Sequence, residues 1–421
     1  MTPDILILII YLFLWTILII YVLKKYGFKR LGSIYLLFYA AISFVAFDLY
    51  MLSLGSSTYE GLNLLPLIYL ILFLYLFSRP LLLLNQEKLE LLHPSSKTIN
   101  IVSIIIILFS LISIQEVFLN FTTGLVQMII DDSAGAAMYR ELRNGSQFDS
   151  KSSSIGLGNL VGVISGVFRG TASLFCLYYL SRNDKNILIT TGLFISMVVN
   201  ILFGIASGSR FFSITTLMNI IGFSLFMFPY YSKRIKYVYS VIGIALISIV
   251  FLGSFLITIS RNMEGNLTGR ESLEVYTSSS ILHFSKYAFE PGQYRNGDRT
   301  FPLIKRVFTA DITRGYTDRI SKYRYMKINE SQFITFIGDF LLDFGGVWGS
   351  LIMLLIIAII SRILNRKKSI GVEHLVIVYF LVVILNGFYL YQFPDFGGNL
   401  QFIFLFFLYG FFKYTKHYKQ V

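Results

Sequence analysis

Asp339 and Asp343 stand four residues apart in Gly338-Asp339-Phe340-Leu341-Leu342-Asp343-Phe344-Gly345-Gly346. On a helix that spacing puts both carboxylates on one face, where Asp339 could act as a base and Asp343 could hold a sugar hydroxyl. Acids at a helix start are equally explained by the macrodipole, and Gly345 to Gly349 is a GxxxG spacing that helps membrane helices pack. His283 and Glu290, in the polar stretch just upstream, form a second candidate acid/base pair. No histidine or carboxylate cluster has metal-ligand spacing, and there is no Walker A loop, strand-linked GxGxxG or GxSxG elbow. The chemistry expected is therefore metal-independent, without a cofactor, without nucleotide and without nucleic acid as partner. The single Cys176 excludes a disulfide framework.

Anion chemistry has more candidates. The stretch 261–333 carries Arg261, Arg270, Lys286, Arg295, Arg299, Lys305, Arg306, Arg314, Arg319, Lys322, Arg324 and Lys327, interleaved with aromatics. Arg210 follows Ser207-Gly208-Ser209, a turn whose backbone could approach phosphate while the guanidinium matches its oxygens; an arginine snorkelling at a helix end reads the same way. Arg140 and Arg143, three apart, share a face. Arg169 lies within an apolar run, where a charge needs a partner or a function; Asp48 and Glu116 are candidate partners. Tyr389, Tyr391, Gln392 and Asp395 in a turn ending Gly397-Gly398-Asn399 could meet a sugar face and its hydroxyls, though tyrosine is also normal at a membrane boundary.

These residues must be carried by membrane helices. With 55% hydrophobic residues and a mean hydropathy of +0.68, the chain is too apolar for a water-soluble domain. Apolar runs fall near 5–23, 32–54, 62–78, 98–119, 158–180, 187–206, 211–230, 238–260, 346–364, 373–393 and 400–413, about eleven spans of one all-α polytopic membrane domain covering 1–421. The first lacks a basic n-region and a cleavage site, so it is read as a retained span. Four Asn-x-Ser/Thr triplets are read as chance.

The +13 formal charge acquires meaning when divided by side. Alternate connections hold Lys24, Lys25, Lys29 and Arg30, then Arg79, Lys88 and Lys97, Arg182 and Lys185, Lys233, Arg234 and Lys236, Arg362, Arg366, Lys367 and Lys368, and Lys413, Lys416 and Lys419. The short connections opposite hold only Arg140, Arg143, Lys151 and Arg210, so the rule that basic loops stay inside places the N-terminus outside and the C-terminus in the cytoplasm. The stretch 261–333 is then an outer loop, long enough to cross regardless of charge. Within it Ile304, Phe308, Ile312, Tyr316 and Ile320 recur every four residues, which predicts one or two amphipathic helices in the headgroup region. Asn296-Gly297-Asp298 predicts a turn, and the outer segment 120–157 a short helix from Ala134 to Arg143.

Ser207-Gly208-Ser209-Arg210, the late basic outer loop, and Gly338-Asp339 through Asp343-Phe344-Gly345-Gly346 opening a span are the features by which the chain resembles bacterial O-antigen or capsular repeat-unit polymerases of the Wzy type. The likeness covers the whole layout; the RX10G loop pattern of some members is absent. The resemblance implies a GT-C-like membrane glycosyltransferase of the bacterial inner membrane, acting with inversion on undecaprenyl-pyrophosphate-linked oligosaccharides, with a chain-length regulator protein as a partner. On that reading Arg210, Arg261, Arg299, Arg314 and Arg140 bind pyrophosphate, Asp339, Glu290 or His283 is the base, and Asp343, Tyr391 and Asp395 meet sugar. Preorganised guanidinium groups would stabilise charge developing on the departing pyrophosphate. An O-antigen ligase resembles this layout too, although His283 is followed by Phe284 where ligases carry a small polar residue. A lipid-linked oligosaccharide flippase predicts two similar halves, which the sequence does not show.

Overall fold

The structure is a computed structural model that describes residues 2–54, 58–130, 157–206, 210–262, 269–311, 313, 316–330, 332–365 and 367–415. Helices α1 (Pro3–Tyr26), α2 (Leu31–Leu52) and α3 (Leu64–Leu83) are followed by a two-residue strand β1 (Glu90–Leu91). Next come α4 (Ser96–Leu111), α5 (Ile114–Ile130), α6 (Leu157–Leu180), α7 (Ile187–Ala206), α8 (Arg210–Met227) and α9 (Lys233–Asn262). The remainder is α10 (Gly269–Tyr287), α11 (Pro302–Phe308), α12 (Tyr316–Lys322), α13 (Thr335–Leu364), β2 (Ser369–Ile370), α14 (Val372–Leu385) and α15 (Asp395–Tyr414). β1 and β2 pair in parallel.

Local chemistry sets several helix ends. Pro3 at the first turn with Asp4 beside it starts α1, and Lys24, Lys25 and a Gly27 at φ 82° end it, each residue on the side of the macrodipole that favours it. The Asn63 side chain accepts from Leu65 N at 3.0 Å to cap α3, and Ser95 accepts from Thr98 N to cap α4.

Among the described residues nine helices are long and apolar enough to cross a membrane. α4 and the first part of α5 pass that test only as a pair bent by 45°. The expected span at 373–393 is helical only as far as Leu385, 14 residues, or about 21 Å against a hydrocarbon core of about 30 Å. The chain is a helical multi-pass membrane protein, and its described residues hold nine such helices, or ten with the bent pair, where the apolar runs alone predict about eleven.

Contacts divide the chain into two compact units, one of 1–89, 267–368 and 383–396, the other of 90–266, 369–382 and 397–421. In the first, α1, α2 and α3 pack on one another, and α10 packs on α2, α3 and α13. This polar helix lies inside the stretch read as an outer loop; Ser278, Ser279, Ser280 and Ser285 let it approach closely, and Ser285 Oγ donates to Asn63 O while accepting from Asn63 N. In the second unit α4, α6, α7 and α8 form the core, with α5 and α9 against them.

Of the one or two helices expected along 304–320, the structure has two of seven residues each, α11 and α12. Of the apolar stripe, Ile304, Phe308 and Ile320 are exposed. Residues 312, 314 and 315, and the helix expected at 134–143, lie outside the described residues.

α13 is broken at Gly345, whose φ of 76° no helix contains. The break separates 335–344, buried almost throughout, from the apolar span that follows. A Cβ on Gly349 would stand 2.9 Å from Phe340 O. Gly345 therefore makes the kink and Gly349 lets the second segment fold close to the first, so this small-residue pair serves the break within one element. Gly345→Ala is expected to cost about 1–2 kcal/mol from the left-handed backbone alone, since its methyl would meet the Tyr294 ring at an ordinary 3.4 Å. A thermal-unfolding midpoint unchanged from wild type would refute this account of the kink.

Candidate functional site

The Asn296-Gly297 turn is the local device that builds the site. Both residues adopt positive φ, 52° and 82°, which asparagine and glycine tolerate. The turn hooks onto the first segment of α13 through Arg295 N donating to Leu342 O at 2.9 Å. It thereby drives the Arg295 side chain inward until it is 1% exposed.

Three carboxylates surround that guanidinium. Nη1 donates to Glu330 Oε1 at 3.0 Å, Nη2 to Asp339 Oδ1 at 2.9 Å, and Nε makes an ion contact with Asp343 Oδ1 that lacks hydrogen-bond geometry. Asp339 Oδ2 accepts from Tyr391 N at 2.8 Å, and Asp343 Oδ2 accepts from Thr300 N and Thr300 Oγ1, both at 2.8 Å. Arg299 reaches Glu330 and Asp339, each at 3.4 Å. Arg319 joins Glu330 at 3.2 Å to Asp395 at 2.9 Å. An adjoining group ties Asp298 to Lys305 and Lys322, with the Tyr323 hydroxyl against the same carboxylate and Lys322 also on Asp311.

Burial and pairing compete in this network. Burial raises the Glu330 carboxyl, yet Arg295, Arg299 and Arg319 outweigh it and hold the group at about 2. Burial opposes charge on Arg295, and Asp343, Glu330 and Asp339 more than restore it. The carboxylates converge on a guanidinium, and among the described residues no group of acids, histidines or cysteines could hold a metal ion.

Several sequence candidates meet here. Asp339, Asp343, Arg299 and Asp395 belong to one network, and Tyr391 contributes its backbone N–H while its ring is buried beside Phe301, Phe340 and Phe393. Asp339 and Asp343 are fully buried with their oxygens engaged, so they hold the site's shape and do not face solvent. Glu290 and His283 lie apart from it. Glu290 is exposed and pairs with Lys327 at 3.4 Å. His283 is buried between Tyr59 and Tyr287, its Nδ1 3.0 Å from Phe333 O, and its buried Nε2 has no partner. Arg210 opens α8 and Arg261 lies near the end of α9, with side chains outside the description; Arg140 and Arg314 fall outside the described residues.

Arg295, Arg319, Glu330, Thr300 and Tyr323 were not singled out by sequence reasoning. The available signal was the acids Asp298, Asp311 and Glu330 set among the bases of the same stretch, which foretells internal pairing. Arg299, expected as a pyrophosphate ligand, is already paired, as are Arg295, Arg319, Lys305 and Lys322 of the same basic stretch. The exposed edge of the network is Asp395, whose side chain is 54% exposed while held by Arg319.

His283 gives a pH prediction. Burial lowers its pKa from the ordinary 6.5 to about 4, so below 6.5 the unfolded chain binds the proton first. Stability is present above 6.5 and is lost as pH falls toward 4, on the order of 3 kcal/mol in all. His283→Phe should flatten the unfolding midpoint across that window; an unaltered slope would count against the assignment.

The fold and network define a helical multi-pass membrane protein with a folded polar loop locked by buried ion pairs. Protein-family models, curated proteins and solved structures give no match to the chain.

Proposed function

We propose that this chain polymerises lipid-linked oligosaccharide repeat units, moving the growing glycan en bloc from undecaprenyl pyrophosphate to the non-reducing end of a new lipid-linked unit. The observation that carries the reading is the Arg319–Asp395 pair at the exposed edge of a buried network, in a membrane protein whose sequence has no nucleotide motif. Asp395 accepts the proton of the acceptor hydroxyl. The resulting oxygen attacks the anomeric carbon from the face opposite the leaving group, the carbon–oxygen bond to pyrophosphate breaks, and the electron pair departs with pyrophosphate, inverting the centre. Arg306, exposed and stacked at 5.8 Å on Phe396 beside Asp395, supplies positive charge to that leaving group. Arg295 and Arg299 act through Asp339, Asp343 and Glu330 as positioning residues.

On this reading the polar loop faces the periplasm, the protein resides in the bacterial inner membrane, and a chain-length regulator is its partner. Deleting the gene in a strain whose surface polysaccharide resolves as a ladder tests it. Lipid A core capped with a single repeat is the expected result. Bare core would assign ligase activity instead, and an unchanged ladder would overturn both.

A further inference from the structure

Arg169 of α6 is a buried cation with no ion pair among the described residues. It is 3% exposed; Nη1 donates to Ser113 Oγ at 3.1 Å, the guanidinium lies 4.4 Å from the Phe203 ring centroid, and its buried Nε has no partner. Glu116 acts on it electrostatically, but among the described residues no carboxylate is within ion-pair distance. A charge so placed costs several kcal/mol unless something compensates it.

Its depth can be counted three ways. Arg182 Nη2 donates to Ser96 Oγ, and Asn186 N to Tyr179 Oη, which ties the starts of α4 and α7 and the end of α6 at one level. From that level Ser113 stands about 25 Å up α4, and Phe203 about 24 Å up α7. The Arg169 Cα, counted back from Leu180, is only about 16 Å up. A helical side chain leans toward its N-terminus, here away from the tied ends, so the guanidinium climbs to meet the other two. In a core of about 30 Å it lies close to the opposite boundary, the outer one by the distribution of basic loops.

Next to Ser113 and Phe203 in the chain lies the lining of an apolar groove of about 250 Å³ between α5 and α7, formed by Ile114, Val117, Phe118, Val198, Val199 and Leu202 among others. Ser113 immediately precedes this lining on one wall and Phe203 follows it on the other. Phe118 is 58% exposed, so the groove opens outward, where a membrane presents hydrocarbon.

We propose that this is a binding site for an anionic glycerophospholipid of the outer leaflet, its phosphate on Arg169 and Ser113 and one acyl chain in the groove. The groove holds a stretch of a single chain, which fits an acyl chain and leaves no room for a coiled polyprenyl tail. The proposal is independent of the glycosyl-transfer reading.

The test uses the full chain in phosphatidylcholine nanodiscs with phosphatidylglycerol bearing a photoactivatable acyl chain. Saturable crosslinks mapping to 114–118 and 194–202 are expected, reduced about tenfold or more in Arg169→Gln, the loss of a charged hydrogen bond. Val198→Trp, which fills the groove and leaves the arginine, should reduce them likewise and decides the matter where Arg169→Gln does not fold. Unsaturable crosslinks, crosslinks elsewhere, or full labelling of Val198→Trp would overturn the site. Displacement by equimolar polyprenyl phosphate, or by millimolar inorganic phosphate, would overturn the phospholipid assignment.

Discussion

Asp395→Asn is expected to lower repeat-unit polymerisation by about 10²- to 10⁴-fold, the range for loss of a positioned general base. The substitution keeps the shape of the side chain and removes its charge. Because Asp395 is about half exposed, its pair with Arg319 adds little to stability, on the order of 0–1 kcal/mol, so the protein should remain in the membrane with a nearly unchanged unfolding midpoint. Polymer length is read by gel from purified protein and lipid-linked repeat units. Arg319→Ala should show a smaller loss, because the carboxylate survives but is no longer held between Arg319 and the backbone N–H bond to Arg299 O. Wild-type polymer from Asp395→Asn would remove this residue from the chemistry.

Arg295→Met has the largest expected effect on the fold. It strands Glu330, Asp339 and Asp343 around an uncharged side chain in a site closed to water. Removing one partner of a buried pair costs about 3–5 kcal/mol, and here one cation serves three anions. The unfolding midpoint in detergent should fall sharply. Adding Asp343→Asn to Arg295→Met should recover part of the loss, since it removes one stranded charge, and that non-additivity distinguishes charge stranding from simple loss of packing. A double variant less stable than Arg295→Met alone would contradict the account. The network also implies acid sensitivity. Glu330 has a depressed pKa, so its contribution is complete above the unfolded value near 4.5 and is lost as pH falls toward about 2. Glu330→Gln should remove that step.

Polar and apolar patterning made much of this legible in advance. Long apolar runs located most of the helices long enough to cross a membrane, because a segment crossing hydrocarbon must satisfy its own backbone and advertises itself by composition. The start of the span at 346 was readable because Gly345 and Gly346 interrupt an otherwise continuous run. The spacing of Asp339 and Asp343 placed both on one face, since a helix repeats every 3.6 residues. Helix α10 escaped notice because Glu274, Ser278, Ser279, Ser280, His283 and Ser285 are buried in it beside only a short apolar group, Ile281, Leu282 and Phe284, and period-based reading looks for long apolar stripes. The early end of α14 was equally hidden: Phe388, Tyr389, Tyr391 and Phe393 are apolar enough to continue a helix, yet 387–391 pair their backbone with 334–336 and Asp339 instead.

The sequence by itself determined that the chain crosses a membrane many times and concentrates its charges in one late polar stretch. Only the tertiary structure decided which charges meet. Asp339 and Asp343 lie far along the chain from Arg295, and no local rule joins them; the Asn296-Gly297 turn does so by docking on α13, where burial makes each charge depend on a partner that sequence distance conceals. For the same reason Arg169, which the sequence places only within an apolar run, meets Ser113 and Phe203 from two other helices.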